Sequence, residues 1–199
     1  MPIPFQDDVV AAIERHDRDL RCRAAIEAAW SFVQGRYPEL AWFRRKSTAR
    51  HLMWEHSVQN VIEAMEDTGV RPIPHHDTVS FVLDDKILVR LKKADNQLIT
   101  KNYPTPLANL FHRHERDLFG HGGYQRVELV HVFNRLQTSL IWIGIVARDE
   151  KQNILWEHEL RSGGATIVEL PSAPRPTPAA DTVLRPAETG KEKREKEDD

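Results

Sequence analysis

The sequence has little cysteine, no long apolar run and no dominant sign of charge. Cys22 is the one cysteine among 199 residues, which excludes an intramolecular disulfide framework and a cysteine-based zinc finger. No stretch approaches the roughly 18 apolar residues needed to span a bilayer, and the first eight residues lack the pattern of a signal peptide. We therefore expect a cytoplasmic protein with no membrane partner.

The balance of charge excludes a global attraction to nucleic acid or to an anionic membrane. The chain has 28 Lys and Arg against 30 Asp and Glu, which gives a formal net charge of −2. Any binding to phosphate must therefore come from a local basic cluster. Hydrophobic residues make up 40% of the chain, which is enough for one core and, at this length, one domain.

The spacing of apolar residues predicts two N-terminal helices and one inserted helix. The first helix covers residues 7–36, and Gly35 and Pro38 mark its end. The second begins at Ser47 or Thr48 and runs to about residue 67, before Gly69. The inserted helix covers residues 105–118, after a proline-containing segment.

Alternating apolar residues predict a mostly antiparallel sheet of about five strands. A hairpin over residues 79–92 turns at Asp84 and Asp85, and strands over 126–133, 140–147 and 154–160 follow through short connections. The polar connection 134–138 either lines a pocket or fixes a turn. We expect one α+β domain over residues 1–168, with the helices on one face of the sheet.

The last segment of the chain has a different composition. Residues 169–199 are rich in proline and then in alternating charges. Such a segment cannot bury enough apolar surface to offset the entropy lost on ordering. We expect a disordered tail.

Two basic clusters are the candidates for binding nucleic acid. The first lies at the start of the second helix and is flanked by Trp42, Phe43 and Trp54, and its members are Arg44, Arg45, Lys46 and Arg50. The second lies on the second hairpin strand, and its members are Arg90, Lys92 and Lys93. Guanidinium groups bind phosphate and aromatic rings stack on bases, so nucleic-acid binding follows if the clusters share one exposed surface. The alternative is a solvated helix start with its aromatic residues in the core.

Five histidine and aspartate residues are the candidates for catalysis. They are His56 in the second predicted helix, His75, His76 and Asp77 before the first predicted strand, and Asp84 at the hairpin turn. Imidazole and carboxylate groups bind divalent metals or move protons near neutral pH. Their spacing matches no established ligand set, and paired aspartates are ordinary in a hairpin turn. The sequence therefore predicts no defined cofactor or metal site, with a divalent metal as the alternative.

Two more specific catalytic patterns are disfavoured by position. A carboxylate-and-lysine nuclease needs an acidic residue two positions before its lysine, where this chain has Arg90 before Lys92. His112 and His114 lie two apart on a predicted helix, so they point to different faces and disfavour a histidine-only zinc site. Whether the protein is an enzyme stays open at this stage.

Several segments together resemble an uncharacterised bacterial and prophage family. The segments are YPELAWFRRKST (37–48), MWEH (53–56), HHDTVSF (75–81), RLKKAD (90–95) and NYPTPL (102–107). The family resembles the toxin-like partner, in two-gene toxin–antitoxin or phage-defence modules, of a regulator that joins a helix-turn-helix domain to a zinc-peptidase-like domain. The resemblance covers about residues 22–160 and carries over no catalytic residue.

Three hypotheses about function follow. The leading one is a toxin-like or phage-defence protein that acts on nucleic acid or translation and is neutralised by a protein encoded next to it. The second is a non-catalytic phage or bacterial interaction protein that docks a protein partner. The third is a metal-dependent hydrolase that uses His75, His76, Asp77 and Asp84.

Overall fold

Three α-helices and six β-strands lie in the part of the chain that the computed structural model describes, residues 4–44, 47–75, 78–100, 111–112 and 123–163. The helices are α1 (Gln6–Glu14), α2 (Arg18–Arg36) and α3 (Ser47–Met65). The strands are β1 (Arg71–His75), β2 (Thr78–Leu83), β3 (Ile87–Ala94), β4 (Gln125–Phe133), β5 (Leu140–Arg148) and β6 (Ile154–Glu159). These elements confirm the predicted α+β class.

Two predicted segments lie wholly or mostly outside the described residues. Of the inserted helix predicted over residues 105–118, the description covers Phe111 and His112, which are helical. The tail predicted over residues 169–199 lies outside, as does the predicted domain boundary at residue 168.

The first predicted helix is broken at His16 and Asp17. Both residues adopt left-handed backbone conformations, with φ of 57° and 54°, so the chain forms α1 and α2 where one helix over residues 7–36 was predicted. This conformation costs L-residues roughly 1–2 kcal/mol each. The break leaves Arg18 buried, where Nη1 donates to the Ala12 carbonyl at 2.8 Å and Nε donates to the Thr68 carbonyl at 3.2 Å. These hydrogen bonds help to offset the cost of the break.

α3 confirms the second predicted helix and packs along α2. Asn60 Nδ2 donates to the Ala25 carbonyl of α2 at 3.1 Å. Ser57 Oγ donates to the Met53 carbonyl at 2.7 Å, which satisfies a hydroxyl group on the buried side of α3. None of the helices within the described residues has the length and apolar character needed to cross a bilayer.

The six strands form one mixed sheet in the order β1-β2-β3-β4-β5-β6. All neighbouring pairs are antiparallel except β3 and β4, which are parallel, with Val89 opposite Val127. The predicted hairpin and the antiparallel order of the last three strands are confirmed. β1 is the strand that the prediction missed. It contains Pro72 and Pro74, and it lies at an edge of the sheet, where proline is tolerated because it removes no internal hydrogen bond.

Alternation along β3 separates the two faces of the sheet. Val89 and Leu91 belong to the main core under the helices, whereas Leu88 and Ala94 belong to smaller apolar clusters on the opposite face. We call the face under the helices the helix face, and the opposite face, which these helices do not cover, the open face. The main core therefore lies between the helices and the helix face, as the sequence predicted.

Candidate functional site

The predicted basic residues divide between the two faces of the sheet. Arg44 and Arg50 are exposed beside the helices. Arg90 and Lys92 alternate with Val89 and Leu91, so they lie on the open face, and Arg90 is only 4% exposed. The expectation that both clusters share one exposed surface is therefore wrong for Arg90 and Lys92.

Lys93 lies on the other side of its strand from Lys92. Its Nζ is 6.0 Å from the ring centroid of Phe133, on the helix face. Arg45 and Lys46 lie outside the described residues. Of the described residues in the two predicted basic clusters, Arg44, Arg50 and Lys93 therefore lie on the side of the sheet that the helices cover.

A pocket of about 370 Å³ lies where α2 ends and α3 begins. The loop between β4 and β5 closes its other side. Its lining is mainly aromatic and aliphatic, with a few polar side chains and one cation: Trp30, Val33, Gln34, Tyr37, Pro38, Leu40, Ala41, Ala49, Arg50, Phe133, Leu136, Gln137 and Thr138. We call this the aromatic pocket.

Hydrogen bonds fix the wall that α2 contributes to the aromatic pocket. Trp30 Nε1 donates to the Thr138 carbonyl at 3.3 Å, and Gln34 Nε2 donates to the same carbonyl at 2.8 Å. The Trp30 ring meets Phe133 edge-on, with centroids 4.7 Å apart. Two side chains of α2 are therefore tied to the β4–β5 loop, so this wall is already formed in the unliganded protein.

The β4–β5 loop is organised by Asn134. Asn134 Oδ1 accepts from the Thr138 backbone N–H at 2.8 Å, and Asn134 Nδ2 donates to Thr138 Oγ1 at 2.8 Å. Gln137 then adopts a left-handed conformation with φ of 56°. The loop therefore fulfils both alternatives raised for residues 134–138, because Asn134 fixes the turn while Gln137 and Thr138 line the pocket.

Exposed aromatic and aliphatic side chains surround the aromatic pocket. Trp42 is 89% exposed, and Phe43, Phe32 and Leu136 are also exposed. Exposed apolar patches mark interaction sites on proteins. Together with Arg44 they form what we call the rim. The alternative that the flanking aromatic residues lie in the core is therefore wrong for Trp42 and Phe43, whereas Trp54 packs against the main core.

His56 is part of the same neighbourhood. Its ring lies 4.5 Å from that of Phe32, which in turn lies 6.5 Å from Tyr37. His56 and Arg50 lie six residues apart on α3, about 1.7 turns, so their side chains point about 120° away from each other. The imidazole therefore lies against the ring of Phe32, which belongs to the rim.

A cluster of buried polar side chains surrounds Glu128 on the open face of the sheet. Its carboxylate accepts from Arg148 Nε at 2.7 Å and from Thr100 Oγ1 at 3.2 Å, and it lies 3.7 Å from His112 Nε2. Arg148 Nη2 also donates to the Leu98 carbonyl. Glu128 is only 1% exposed, so this buried polar cluster presents no surface to a macromolecule in this structure.

Arg90 belongs to the buried polar cluster. Its Nε donates to Ser80 Oγ at 3.2 Å, and its guanidinium carbon lies 4.3 Å from the ring centroid of Phe111. Burial lowers the pKa of Arg90 to about 10, and it also lowers the pKa of Lys92, while Glu128 partly opposes both shifts. These two side chains are therefore internal or half-buried groups that stabilise Glu128.

The predicted catalytic aspartate is held in ion pairs. Asp84 Oδ1 lies 2.9 Å from Arg18 Nη2, and Asp84 Oδ2 lies 2.9 Å from Arg15 Nη1. The hydrogen bond from Arg18 lowers the pKa of Asp84 below its ordinary value. Both carboxylate oxygens are thus used to hold α1 and α2 to the β2–β3 turn.

The remaining candidates do not assemble a metal site within the described residues. His75 is buried at the end of β1, and His76 and Asp77 lie outside the description. No group of three His, Cys, Asp or Glu side chains suited to a metal occurs in the described part of the chain. The hydrolase hypothesis therefore gains no assembled ligand set here.

Sequence reasoning missed most of the aromatic pocket. Trp30 and Phe133 look like ordinary core residues in an amphipathic helix and a strand. The signals that could have been read were the segment from Tyr37 to Phe43, with three aromatic residues between two helices, and the polar loop after Phe133.

Comparison with protein-family models, with curated proteins and with solved structures finds no match to this chain.

Proposed function

We propose that this protein binds single-stranded nucleic acid at the aromatic pocket and its rim. The observation that carries the proposal is the position of Trp42, 89% exposed and two residues from Arg44, at the edge of a pocket that Arg50 also lines. Proteins that bind single strands combine exposed aromatic rings, on which bases stack, with basic side chains, which bind phosphate.

Energetic magnitudes support this assignment. Stacking of a base on an aromatic side chain contributes about 1–3 kcal/mol, with little dependence on which base it is. Arg44, Arg50 and Lys93 supply positive charge at this side of the molecule, although the whole chain has a net charge of −2. The net charge of the chain does not attract an anion, so these local basic residues would provide the attraction to phosphate.

A pair of matched variants tests the proposal. We expect Trp42→Ala to weaken binding of a fluorescently labelled 12-nucleotide RNA or DNA strand by about fivefold or more, because one stacking platform is lost. Phe5→Ala is the control, since Phe5 is also highly exposed but lies at the start of α1. Fluorescence anisotropy gives both dissociation constants.

The dependence of the affinity on salt concentration provides a second test of the proposal. With two phosphate contacts, affinity for a single strand should fall about sevenfold between 50 and 200 mM salt. Absent binding, binding that ignores salt, or equal effects of the two substitutions would each contradict the proposal. If this chain nevertheless bound the protein encoded by the neighbouring gene, the result would favour the hypothesis that the rim docks a protein partner.

In the two-gene setting implied by the resemblance, we propose that nucleic-acid binding underlies a toxin-like effect that the neighbouring protein neutralises. Growth arrest on expression of this chain alone, relieved by the neighbouring gene, is the cellular counterpart of the binding measurement. Trp42→Ala should lessen that arrest, whereas Phe5→Ala should not. Arrest that is unchanged by Trp42→Ala would separate toxicity from the rim.

A further inference from the structure

The aromatic pocket is a chamber that is small for a stretch of nucleic-acid chain. Its volume of about 370 Å³ lies near the lower end of the range for small-molecule sites, about 300–1,000 Å³. Trp42 stands outside it on the rim, so stacking on Trp42 leaves the chamber itself unused. A separate ligand group can therefore occupy the pocket.

We propose that the aromatic pocket holds one nucleotide unit, with its base inside the chamber and its phosphate at the mouth. The inference rests on the proposed function, because the unit would belong to a bound strand or to its end. It adds that one base leaves the stacked strand and is enclosed, and that a free mononucleotide is enough to occupy the site.

The walls suit a planar aromatic base. Trp30 is held in place by its hydrogen bond to the Thr138 carbonyl and by its edge-on contact with Phe133. Tyr37 provides a third ring from the end of α2. Rings held in this way lose little conformational freedom when a ligand enters, which favours binding.

Two lining side chains can read the polar edge of a base. The Gln137 amide and the Tyr37 hydroxyl make no hydrogen bond within the described part of the chain, although both line the chamber. An amide has two donors and an acceptor that accepts twice, and a phenol can donate and accept. Both groups are therefore ready to pair with the ring nitrogens and exocyclic groups of a base.

Positive charge lies where the phosphate would be. Arg50 lines the pocket itself from the first turn of α3. Lys93 Nζ lies 6.0 Å from the ring centroid of Phe133, which forms one wall. A cation among the lining residues and a second near Phe133 favour a ligand that carries an anion next to a flat ring, as a nucleotide does.

Calorimetric titration of the full chain tests this inference with four probes: AMP, CMP, ribose 5-phosphate and inorganic phosphate. We expect both mononucleotides to bind, and ribose 5-phosphate and inorganic phosphate to bind at least tenfold more weakly, because they lack the base. Equal affinity for ribose 5-phosphate and AMP would overturn the inference, since only the charge would then be recognised.

Two glutamines allow a matched pair of variants. Gln137 and Gln152 both adopt left-handed conformations in loops of the same kind, with φ of 56° and 68°, and glycine suits that backbone. We expect Gln137→Gly to weaken AMP binding about fivefold or more, because the chamber loses its free amide. Gln152→Gly is the control, since Gln152 lies in the β5–β6 loop away from the pocket. Equal AMP affinities for the two variants would also overturn the inference.

The outcomes distinguish this inference from the proposed function. If the 12-nucleotide strand binds but AMP and CMP do not, the rim proposal stands and the chamber is not a nucleotide site. If the mononucleotides bind but the strand does not, the proposed function fails and the chamber is a site for free nucleotides. If neither binds, both are wrong.

Discussion

Gly144 of β5 lies close to both the backbone of β6 and the side chain of Trp142. A Cβ atom added there would lie 2.4 Å from the carbonyl oxygen of His158 on β6 and 2.4 Å from Cη2 of Trp142. The indole ring can move aside, but the carbonyl oxygen belongs to a paired strand and cannot move alone. A glycine is therefore required at this position for the β5–β6 pairing.

We expect Gly144→Ala to lower the free energy of unfolding by about 1–3 kcal/mol, the usual cost of forcing extra atoms into a packed region. Gly163→Ala is the matched control, because an added Cβ there meets no atom within 4 Å. Urea denaturation of both variants gives the comparison. Equal stability of the two would show that β6 can shift to accept the methyl group.

At the residue scale, the sequence identified the basic clusters but not the face of the sheet on which each charged side chain lies. Alternation along a strand puts Arg90 and Lys92 on one side of β3 and Lys93 on the other. Which side faces the helices depends on tertiary packing, which a single strand does not specify. Arg126 and Glu128 alternate with Val127 and Leu129 in the same way, so buried charges in β4 could have been suspected but not paired with partners.

At the scale of elements, the break between α1 and α2 is explained by Arg18. Its guanidinium joins three elements, because it donates to the Ala12 carbonyl of α1, to the Thr68 carbonyl after α3, and to Asp84 in the β2–β3 turn. A continuous helix would carry Arg18 to a different position around its axis. The left-handed pair before Arg18 therefore serves to place one buried cation.

Two neighbouring aspartates allow that role to be measured. We expect Asp84→Asn to lower the free energy of unfolding by on the order of 3 kcal/mol, because it leaves the buried Arg18 without its carboxylate. Asp85→Asn should cost less than about 1 kcal/mol, because Asp85 pairs with the exposed Arg71 on the surface. Both residues have positive φ, which asparagine accepts as well as aspartate.

Thermal or urea denaturation of the two variants would measure this difference. If Asp84→Asn were no more destabilising than Asp85→Asn, then the two backbone carbonyls would be enough to satisfy Arg18. The ion pair would in that case not be the reason for the break in the helix.

The sequence predicted elements well where local signals are strong. The hairpin around Asp84 and Asp85, the helix that begins at Ser47 and the three last strands all follow from periodicity and turn residues. The break at His16 and Asp17 lacks glycine and proline, so no local signal marks it. β1 was missed because Pro72 and Pro74 argue against a strand, and only its edge position makes them acceptable. The aromatic pocket was missed because three distant segments form it.

At the scale of the whole molecule, carboxylates join the helices to the sheet, and Asp84 and Asp19 are two of them. Asp84 holds Arg15 and Arg18, and Asp19 at the start of α2 binds Arg161, which follows β6. Burial alone would raise the pKa of Asp19, but the hydrogen bond and charge of Arg161 outweigh it and lower the pKa below its ordinary value. The hydrogen bond from Arg18 does the same for Asp84.

These shifts predict that the fold is sensitive to acid. A carboxyl group whose pKa is lower in the folded state stabilises that state fully above its unfolded pKa of about 3.9, and this contribution is lost as the pH falls through the folded value. We expect the free energy of unfolding to decrease as the pH is lowered from 5 to 2. Asp84→Asn should show a smaller decrease than the unmodified protein, as measured by urea denaturation at each pH. Identical pH profiles would mean that Asp84 does not contribute.

The parallel pairing of β3 with β4 also affects how the chain folds during synthesis. Strands β1 to β3 and strands β4 to β6 are each joined by short turns, but residues 95–124 separate the two sets. During synthesis on the ribosome, β3 therefore emerges well before the strand that will cover its free edge. Closing so long a connection costs more entropy than closing a hairpin turn, so the middle of the sheet is the place where a nascent chain stays open to pairing with a wrong neighbour.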